Sequence, residues 1–593
     1  MSFYLPNPDV RPTGYEAAEY IDTVPPEYPA VVDPPGARAE TPDLHGAYPR
    51  LSAEQIDALA RHGETRDTSP GMVLYRAGDP ECAFYVIVAG LVEVVEELDG
   101  DHRVLGVHGP GRFLGELGLL TGEVMFATAI VREAGSVVVL PADHLRAVVA
   151  RDTVLGDIIL RAYLQRRSAL VEAGTGVKII GSRFSPDTRR LREFMSRNRL
   201  PHRLLDLEVD PKAEALLRGL GVQPEETPVV FWGSHRIMRN PSNAELARAL
   251  GLAAPDPPGT VCDLLIVGAG PAGLAAAVYG ASEGLETILV DAVATGGQAG
   301  TASRIENYLG FPAGISGGEL AERAEVQARK FGARLNVPAE GAALVARAAH
   351  YDVVLDDGSE VSGRTVVIAT GARYRKLNIP ALESLEGTSV FYAATEIEAQ
   401  TCAAHTVAVV GGGNSAGQAC LFLADRVPSV SLVVRADTLD ESMSRYLSDR
   451  IAHHPNVDIR LHQEIRDVIA APELEAIVVE DTHTHERSTL AIRALFVFIG
   501  ADPHAQWLGD EVALDDRGFV LTGPDALLNE KDRDRWTVGR AALPLETSRP
   551  GVFAVGDVRS GSIKRVAAAV GEGSMAVRLV HELLVARRVP NPP

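Results

Sequence analysis

The chain has 593 residues and a net charge of -22, which argues against nucleic acid or an anionic membrane as a partner, because both need a dense basic face. Its length predicts three or four packed cores rather than one. Four cysteines, Cys82, Cys262, Cys402 and Cys420, stand far apart with no Cys-x-x-Cys pair and no zinc-like spacing; they are expected as buried thiols, and no metal site is expected.

Ten of the 37 prolines fall in residues 1–50, so 1–49 is predicted as an extended arm that keeps neither helix nor central strand. Its start, MSFYLPNPDV, has no basic segment followed by an apolar core, and a cytoplasmic protein is expected. Residues 50–172 follow as one domain. Short alternating strands broken by glycine turns, including PGMVLYRAGD, AFYVIVAGLVEVVEE and VVVLPADHL, predict a β-roll closed by a helix near 153–172. Across 176–253 the pattern changes to a compact α/β unit: VKIIGSRF and HRLLDLEVD as strands, PDTRRLREFMSRN and AEALLRGLG as helices, and TPVVFWGSHRIMRN as a hairpin. APDPPGT (254–260) reads as a linker. After it, strands and helices alternate as in parallel-sheet nucleotide domains.

The strongest local signal lies in VCDLLIVGAGPAGLAAAVYGASEGLETILVDA. A strand ends in Gly268-Ala269-Gly270-Pro271-Ala272-Gly273, a helix opens, and the next strand ends at Asp291. The glycines permit a tight turn and close approach, the helix N-terminus faces a pyrophosphate, and Asp291 accepts hydrogen bonds from a ribose. This glycine-rich interruption also explains LLIVGAGPAGLAAAVYGA (264–281), the one run of membrane length, as a buried strand, turn and helix.

A second strand-loop-helix, TVAVVGGGNSAGQACLFLA, repeats the design at Gly411-Gly412-Gly413-Asn414-Ser415-Ala416. Two dinucleotide loops imply two cofactors. The strand after the second loop, SVSLVVRA, runs into Arg435 where an NAD site usually places a carboxylate, and a guanidinium can hold a 2'-phosphate. NADPH is therefore expected, with Arg445 as a second cation; the other readings are NADH and two solvated arginines.

With IATGAR (368–373) and GVFAVGDV (551–558), residues 260–590 resemble the thioredoxin reductase family of two-domain flavoproteins. The resemblance implies an FAD domain in two parts, 260–375 and 495–593, interrupted by an NAD(P)H domain at 376–494, and a homodimer. It implies flavin contacts from Gly297, Gln298 and Asn307 in GGQAGTASRIENYLGFP (296–312), from Thr370 and Gly371, and from Gly556 and Asp557. Lys564-Arg565-Val566 holds the position of the family's Arg-Gln-Ala beside the flavin but departs from it. The family's dithiol, Cys-Ala-Thr-Cys, should precede the second nucleotide loop, and Ala393-Ala394-Thr395-Glu396 occupies its place. Without sulfur no thiolate can relay electrons there, which leaves Thr395 and Glu396 beside the flavin by family geometry. Cys402, six residues on, is unpaired.

Two further resemblances are expected upstream. The 176–253 unit is similar to a glutaredoxin-like thioredoxin fold in which Ser185-Pro186-Asp187-Thr188 replaces Cys-x-x-Cys, and it is expected to be redox-silent. GRFLGELGLLTG (111–122) resembles cyclic nucleotide-binding domains, which implies a nucleotide-like ligand at Gly115, Glu116 and Leu117; yet the phosphate-binding arginine is missing within Val124-Met125-Phe126. Another small ligand or a purely structural roll competes with cyclic nucleotide. DTHTHERS (481–488) places His483 and His485 near Asp481 and Glu486, a donor set that a metal could use, and is expected as a polar turn.

The sequence thus predicts a multidomain protein: β-roll, thioredoxin-like unit and two-domain flavoprotein. The expected activity is hydride transfer from NADPH to FAD and onward to a small-molecule or protein acceptor without an internal dithiol, under control of a ligand of the roll. The alternative is a redox or nucleotide sensor with little turnover.

Overall fold

The computed structural model describes residues 40–588 except 45, 80–82, 99–100, 118–122, 234–235, 253–259, 303, 387, 395 and 472. The bulk of the proline-rich arm, Cys82, the second half of GELGLLTG, the linker and Thr395 thus lie outside the described residues. The chain divides into two compact units, Met1–Arg192 with Leu200–Gly251, and Glu193–Arg199 with Leu252–Pro593.

In the first unit, strands β1 (Glu64–Thr68), β2 (Val73–Tyr75), β3 (Phe84–Leu98), β4 (Asp101–His108), β5 (Phe113–Leu114) and β6 (Thr128–Leu140) form one antiparallel roll with central order β1-β6-β3-β4. The apolar-polar alternation of AFYVIVAGLVEVVEE becomes a single long strand whose register shifts at Ala89 and Leu91, the irregularity its internal glycine permits. VVVLPADHL divides differently from the sequence expectation: the strand stops at Leu140, Pro141 caps, and Ala142–Arg151 is helical. Asp152 then accepts hydrogen bonds from the amides of Val154 and Leu155, starting a second helix at Thr153–Glu172.

The α/β module that follows has a four-stranded sheet in the order β10-β9-β7-β8, with β7 Val177–Gly181, β8 His202–Asp206, β9 Val229–Trp232 and β10 Arg236–Arg239. β7 is buried throughout. Its Lys178 reaches Glu96 of β3 at 2.6 Å, both side chains being buried, so the module and the roll share an ion pair withdrawn from water.

The central parallel strands of the second unit are short, apolar and buried on both faces, as parallel sheets require. The sheet runs β13-β12-β11-β16-β15-β14 with β27 beside β16; its strands are β11 Val261–Val267, β12 Thr287–Val290, β13 Arg334–Asn336, β14 Gly341–Ala346, β15 Tyr351–Leu355, β16 Glu360–Ile368 and β27 Val552–Ala554. The chain leaves through β17 (Ala372–Tyr374) and returns through β26 (Ala501–Pro503), which pair antiparallel. Between them lies an all-parallel sheet in the order β18-β25-β19-β20-β21 (Val390–Phe391, Ala494–Val497, Val407–Val410, Val430–Val433, Val457–Arg460). A three-stranded antiparallel sheet, β22 (Gln463–Ala470), β23 (Leu474–Asp481) and β24 (Arg487–Ala491), accompanies it. β25 belongs to the inserted sheet, so the insert extends past residue 494 to the β17–β26 ribbon.

Among the described residues no helix is long and apolar enough to cross a membrane.

Candidate functional site

At the first glycine loop, β11 delivers Gly268 with φ +108, and a Cβ there would overlap the Ala369 carbonyl. Helix Pro271–Ser282 starts at once with Gly270 as its N-cap and Pro271 at its first position, where a missing N–H costs nothing. A Cβ on Gly273 would overlap the Gly268 carbonyl oxygen, so helix and strand approach as closely as backbones can. Asp291, just past β12, accepts from the amide of Ala269 at 2.7 Å through one oxygen and from Val293 and Ala294 through the other. Its carboxylate therefore braces the loop as well as facing the cleft.

That cleft is lined by Gly268, Asp291, Glu340, Thr370, His504 and Trp507 among others. Thr370 Oγ1 donates to the His504 carbonyl at 2.6 Å, and the His504 amide donates to Gly371 O, tying the two predicted residues to the returning ribbon. Burial, helped by the Arg373 charge, lowers the His504 pKa and keeps the ring neutral. Trp507 Nε1 is buried in the wall without a protein partner. Glu340, His504 and Trp507 belong to no motif and were not foreseen.

The flavin segment closes on the same loop. A Cβ at Gly297 would sit 3.0 Å from Gly270 Cα, and Gln298 Nε2 donates to the Ala372 carbonyl. Asn307 is exposed in the turn between Ile305 and Ile315, whose backbones pair. From the C-terminal part, Gly556 packs against Ala272, a Cβ there lying 3.1 Å from the alanine methyl, and its amide donates to Glu572 at 2.7 Å. Burial raises the pKa of Asp557 beside it, opposed by Lys564. Lys564 and Arg565 are exposed, and Val566 opens the last helix, Val566–Arg588. Of the residues predicted for the first nucleotide site, Gly268, Asp291 and Thr370 line this one cleft, and its glycine turn at a helix N-terminus and the unpartnered indole N–H in its wall fit a dinucleotide.

The segment in the dithiol's place lies against this site: Ala394 is buried and its backbone bridges to Ala302 of the flavin segment. Glu396 opens the helix Glu396–Cys402. Cys402 ends that helix, buried, its thiol pushed up to about 11 by burial; Cys420 is pushed up to about 12. Both are therefore protonated, unreactive thiols at neutral pH.

At the second loop, Gly411 has φ +138 and a Cβ would overlap the Phe498 carbonyl. Gly413 caps the helix Asn414–Ala424, which carries Ser415 and Ala416 in its first turn. Asn414 Oδ1 accepts from the Ser444 amide at 2.6 Å, and Ser442 Oγ donates to Gly412 O at 2.9 Å, so the chain before helix Arg445–Ala452 folds onto the loop. Arg435 and Arg445 are 79% and 90% exposed, in loose ion pairs with Glu464 and Asp449. The DTHTHERS turn is capped by Asp481, which accepts from the amides of His483 and Thr484.

In the roll, Gly115 adopts φ +97 and Glu116 is buried. Glu116 meets Arg166 of the Thr153–Glu172 helix at 2.6 Å, and Arg166 also donates to the carbonyls of Ala47 and Phe113. Arg166 lies 50 residues from its partner and was missed by sequence reading. Leu117 is half-buried, and Val124, Met125 and Phe126 are all packed in the interior.

Residues 65–152 match the cyclic nucleotide-binding domain family. Residues 262–573 match the pyridine nucleotide-disulphide oxidoreductase family. Relatives of this second part include a "34.2 kDa protein in rubredoxin operon" of Clostridium pasteurianum, 30% identical over 322 residues, covering 54% of this chain and 97% of the relative. The thioredoxin reductase of Mycolicibacterium smegmatis is 32% identical over 317 residues, 54% of this chain and 94% of its own, and that of Treponema pallidum 31% over 314 residues, 53% and 94%. The chain is an oxidoreductase flavoprotein with a cyclic nucleotide-binding domain, and it belongs to the pyridine nucleotide-disulphide oxidoreductase family.

Proposed function

We propose that this chain is an NADPH-dependent FAD oxidoreductase that passes electrons to an acceptor without a dithiol of its own. One observation carries the reading: the backbone of Ala394 lies against the flavin segment at Ala302, and Ala393-Ala394-Thr395-Glu396 contains no sulfur. FAD, when bound, supplies hydride uptake from a reduced nicotinamide and electron release to an acceptor.

In this reading the chain's residues bind, orient and tune. Gly268, Gly270 and Gly273 admit the pyrophosphate to the helix N-terminus, and Asp291 fixes the loop while facing the ribose. Asp557 holds the ribityl chain, and Gly297, Gln298 and Asn307 flank the ring. Gly411, Gly413 and the Asn414–Ala416 turn take the second nucleotide, with Arg435 and Arg445 recognising its 2'-phosphate. Thr395 and Glu396 take the dithiol's place at the ring, where Glu396 sets the flavin's potential by its charge. The acceptor is a quinone, dioxygen, a small disulfide or a carrier protein. The 176–253 unit acts as a thioredoxin-like docking module without redox chemistry.

Anaerobic titration with NADPH and then NADH, followed by flavin absorbance, tests the first half. A panel of acceptors then tests the second: sustained NADPH consumption with one of them, and background rates with thioredoxin plus a chromogenic disulfide, are expected. A protein that is reduced once and then stalls fits the sensor reading instead.

A further inference from the structure

Three turns of the second nucleotide-binding domain meet beside the end of β20. The segment leaving β20 brings Asp437, the turn before β22 brings His462, and the β23–β24 turn brings His483. One ligand atom from each lies within 4.8 Å of the others. Asp437 Oδ1 is 3.1 Å from His462 Nδ1 and 3.8 Å from His483 Nε2, and the two imidazole centroids are 4.3 Å apart.

The backbone holds this arrangement in place. His462 sits at φ +60, a conformation uncommon for a side chain other than glycine and worth a functional question. The Thr482 amide donates to His462 O at 2.7 Å, and the His462 amide donates to Ala436 O at 3.4 Å, so all three turns are tied together within two residues of the cluster. His462 Nδ1 is sealed from water and makes no hydrogen bond, although the carboxylate oxygen is 3.1 Å away. The two atoms are close but not aligned for N–H···O, the relation expected of two lone pairs that face a common third atom.

We propose that Asp437, His462 and His483 form a binding site for a divalent transition-metal ion of the zinc type. Two imidazoles and one carboxylate are the donors such an ion takes, whereas calcium and magnesium favour all-oxygen shells. Bonds of about 2.0–2.2 Å in a tetrahedral shell place ligand atoms roughly 3.3 Å apart, close to the spacings from Asp437 to the two rings. His483 is 63% exposed and free to swing the remaining distance. Three protein ligands leave the fourth position to water, and the ion joins the antiparallel β22–β24 sheet to the parallel sheet through β20. His485 stands outside the group, 3.7 Å from Glu480.

The full-length protein, stripped with a chelator and titrated with Zn2+ by calorimetry, is expected to bind one ion per chain, with a rise in Tm because the folded state alone holds the ligands together. His462→Ala, His483→Ala and Asp437→Asn should each weaken binding about tenfold or more and abolish the Tm rise. His485→Ala should bind as the parent does. Absence of saturable binding in the parent, unchanged binding in His483→Ala, or an equal loss in His485→Ala would overturn the site. His483→Ala decides if His462→Ala fails to fold, because His483 is a side chain on an exposed turn.

Discussion

The two glycine loops share a strand-turn-helix design and differ in what surrounds them. At the first, the determinants are half-buried and held by the protein: Asp291 is spent on three backbone amides, Asp557 is half-buried, and Thr370, His504 and Trp507 line the wall. At the second, the two arginines proposed to meet the 2'-phosphate stand in solvent. Fixed, half-buried partners suit a cofactor that stays; exposed, screened cations suit a nucleotide that arrives, reacts and leaves.

The largest test of that contrast is a pair of alanines. Gly273→Ala drives a methyl into the Gly268 carbonyl, backbone against backbone with no side chain to yield. It should cost about 1–3 kcal/mol of stability and yield protein that is colourless as purified. Gly411→Ala makes the equivalent clash with Phe498 O, but should leave the protein yellow and lose only reduction by NADPH. Loss of flavin from both variants would show that the loops do not act separately.

Asp557→Asn sharpens the first half of the comparison. Burial raises the Asp557 pKa, so the folded state binds its proton more tightly than the unfolded chain does. Stability then falls as pH rises from the unfolded pKa to the folded one, and at neutral pH the ionised carboxylate is a burden to the apoprotein. Asn should raise the apoprotein's Tm at pH 7 while weakening FAD retention. A lower Tm in apo-Asn would remove the argument that the carboxylate is kept for the cofactor.

For the second loop, Arg435→Ala should weaken NADPH about ten- to hundredfold, the equivalent of one charge-assisted bond of roughly 1.5–3 kcal/mol, and leave NADH unchanged. Fold stability should move by no more than about 0.5 kcal/mol, because the Arg435–Glu464 pair is exposed. Equal loss for both nucleotides would assign Arg435 to general attraction rather than to the 2'-phosphate.

Much of this was legible in the sequence because it is local. Each loop's strand, glycines and helix are contiguous, so Gly268 to Gly273 and Gly411 to Ala416 could be placed from spacing alone, whereas the sulfur-free Ala393–Glu396 stood out only through the resemblance to the thioredoxin reductase family. What escaped was assembled across the chain. Arg166 reaches Glu116 from another element, His504 and Trp507 return after the whole inserted domain, and Asp437, His462 and His483 come from three separate turns. Asp291 was found but half understood: a carboxylate at the end of β12 predicts a ribose contact, while its bonds to Ala269, Val293 and Ala294 depend on how the loop closes over it.

The smallest effect separates the two loops by pH. His504 lies in the first cleft, and burial, then Arg373, lowers its pKa below 6.5, with Glu340 and Asp291 opposing. The unfolded chain therefore takes up this proton first on acidification, so the histidine's contribution is intact above about pH 6.5 and declines as pH falls towards the folded value. Protonation would also place a cation on the Thr370–Gly371 ribbon against Arg373. Free flavin fluorescence, measured as pH is lowered from 7 to about 5, should rise in the parent and rise less in His504→Gln. NADPH affinity at the second loop should show no difference between the two proteins over that range, since His504 has no part in it. A parallel shift in NADPH affinity would mean that the β17–β26 ribbon transmits the charge from one loop to the other, and the separation drawn between resident and exchanging sites would fail there.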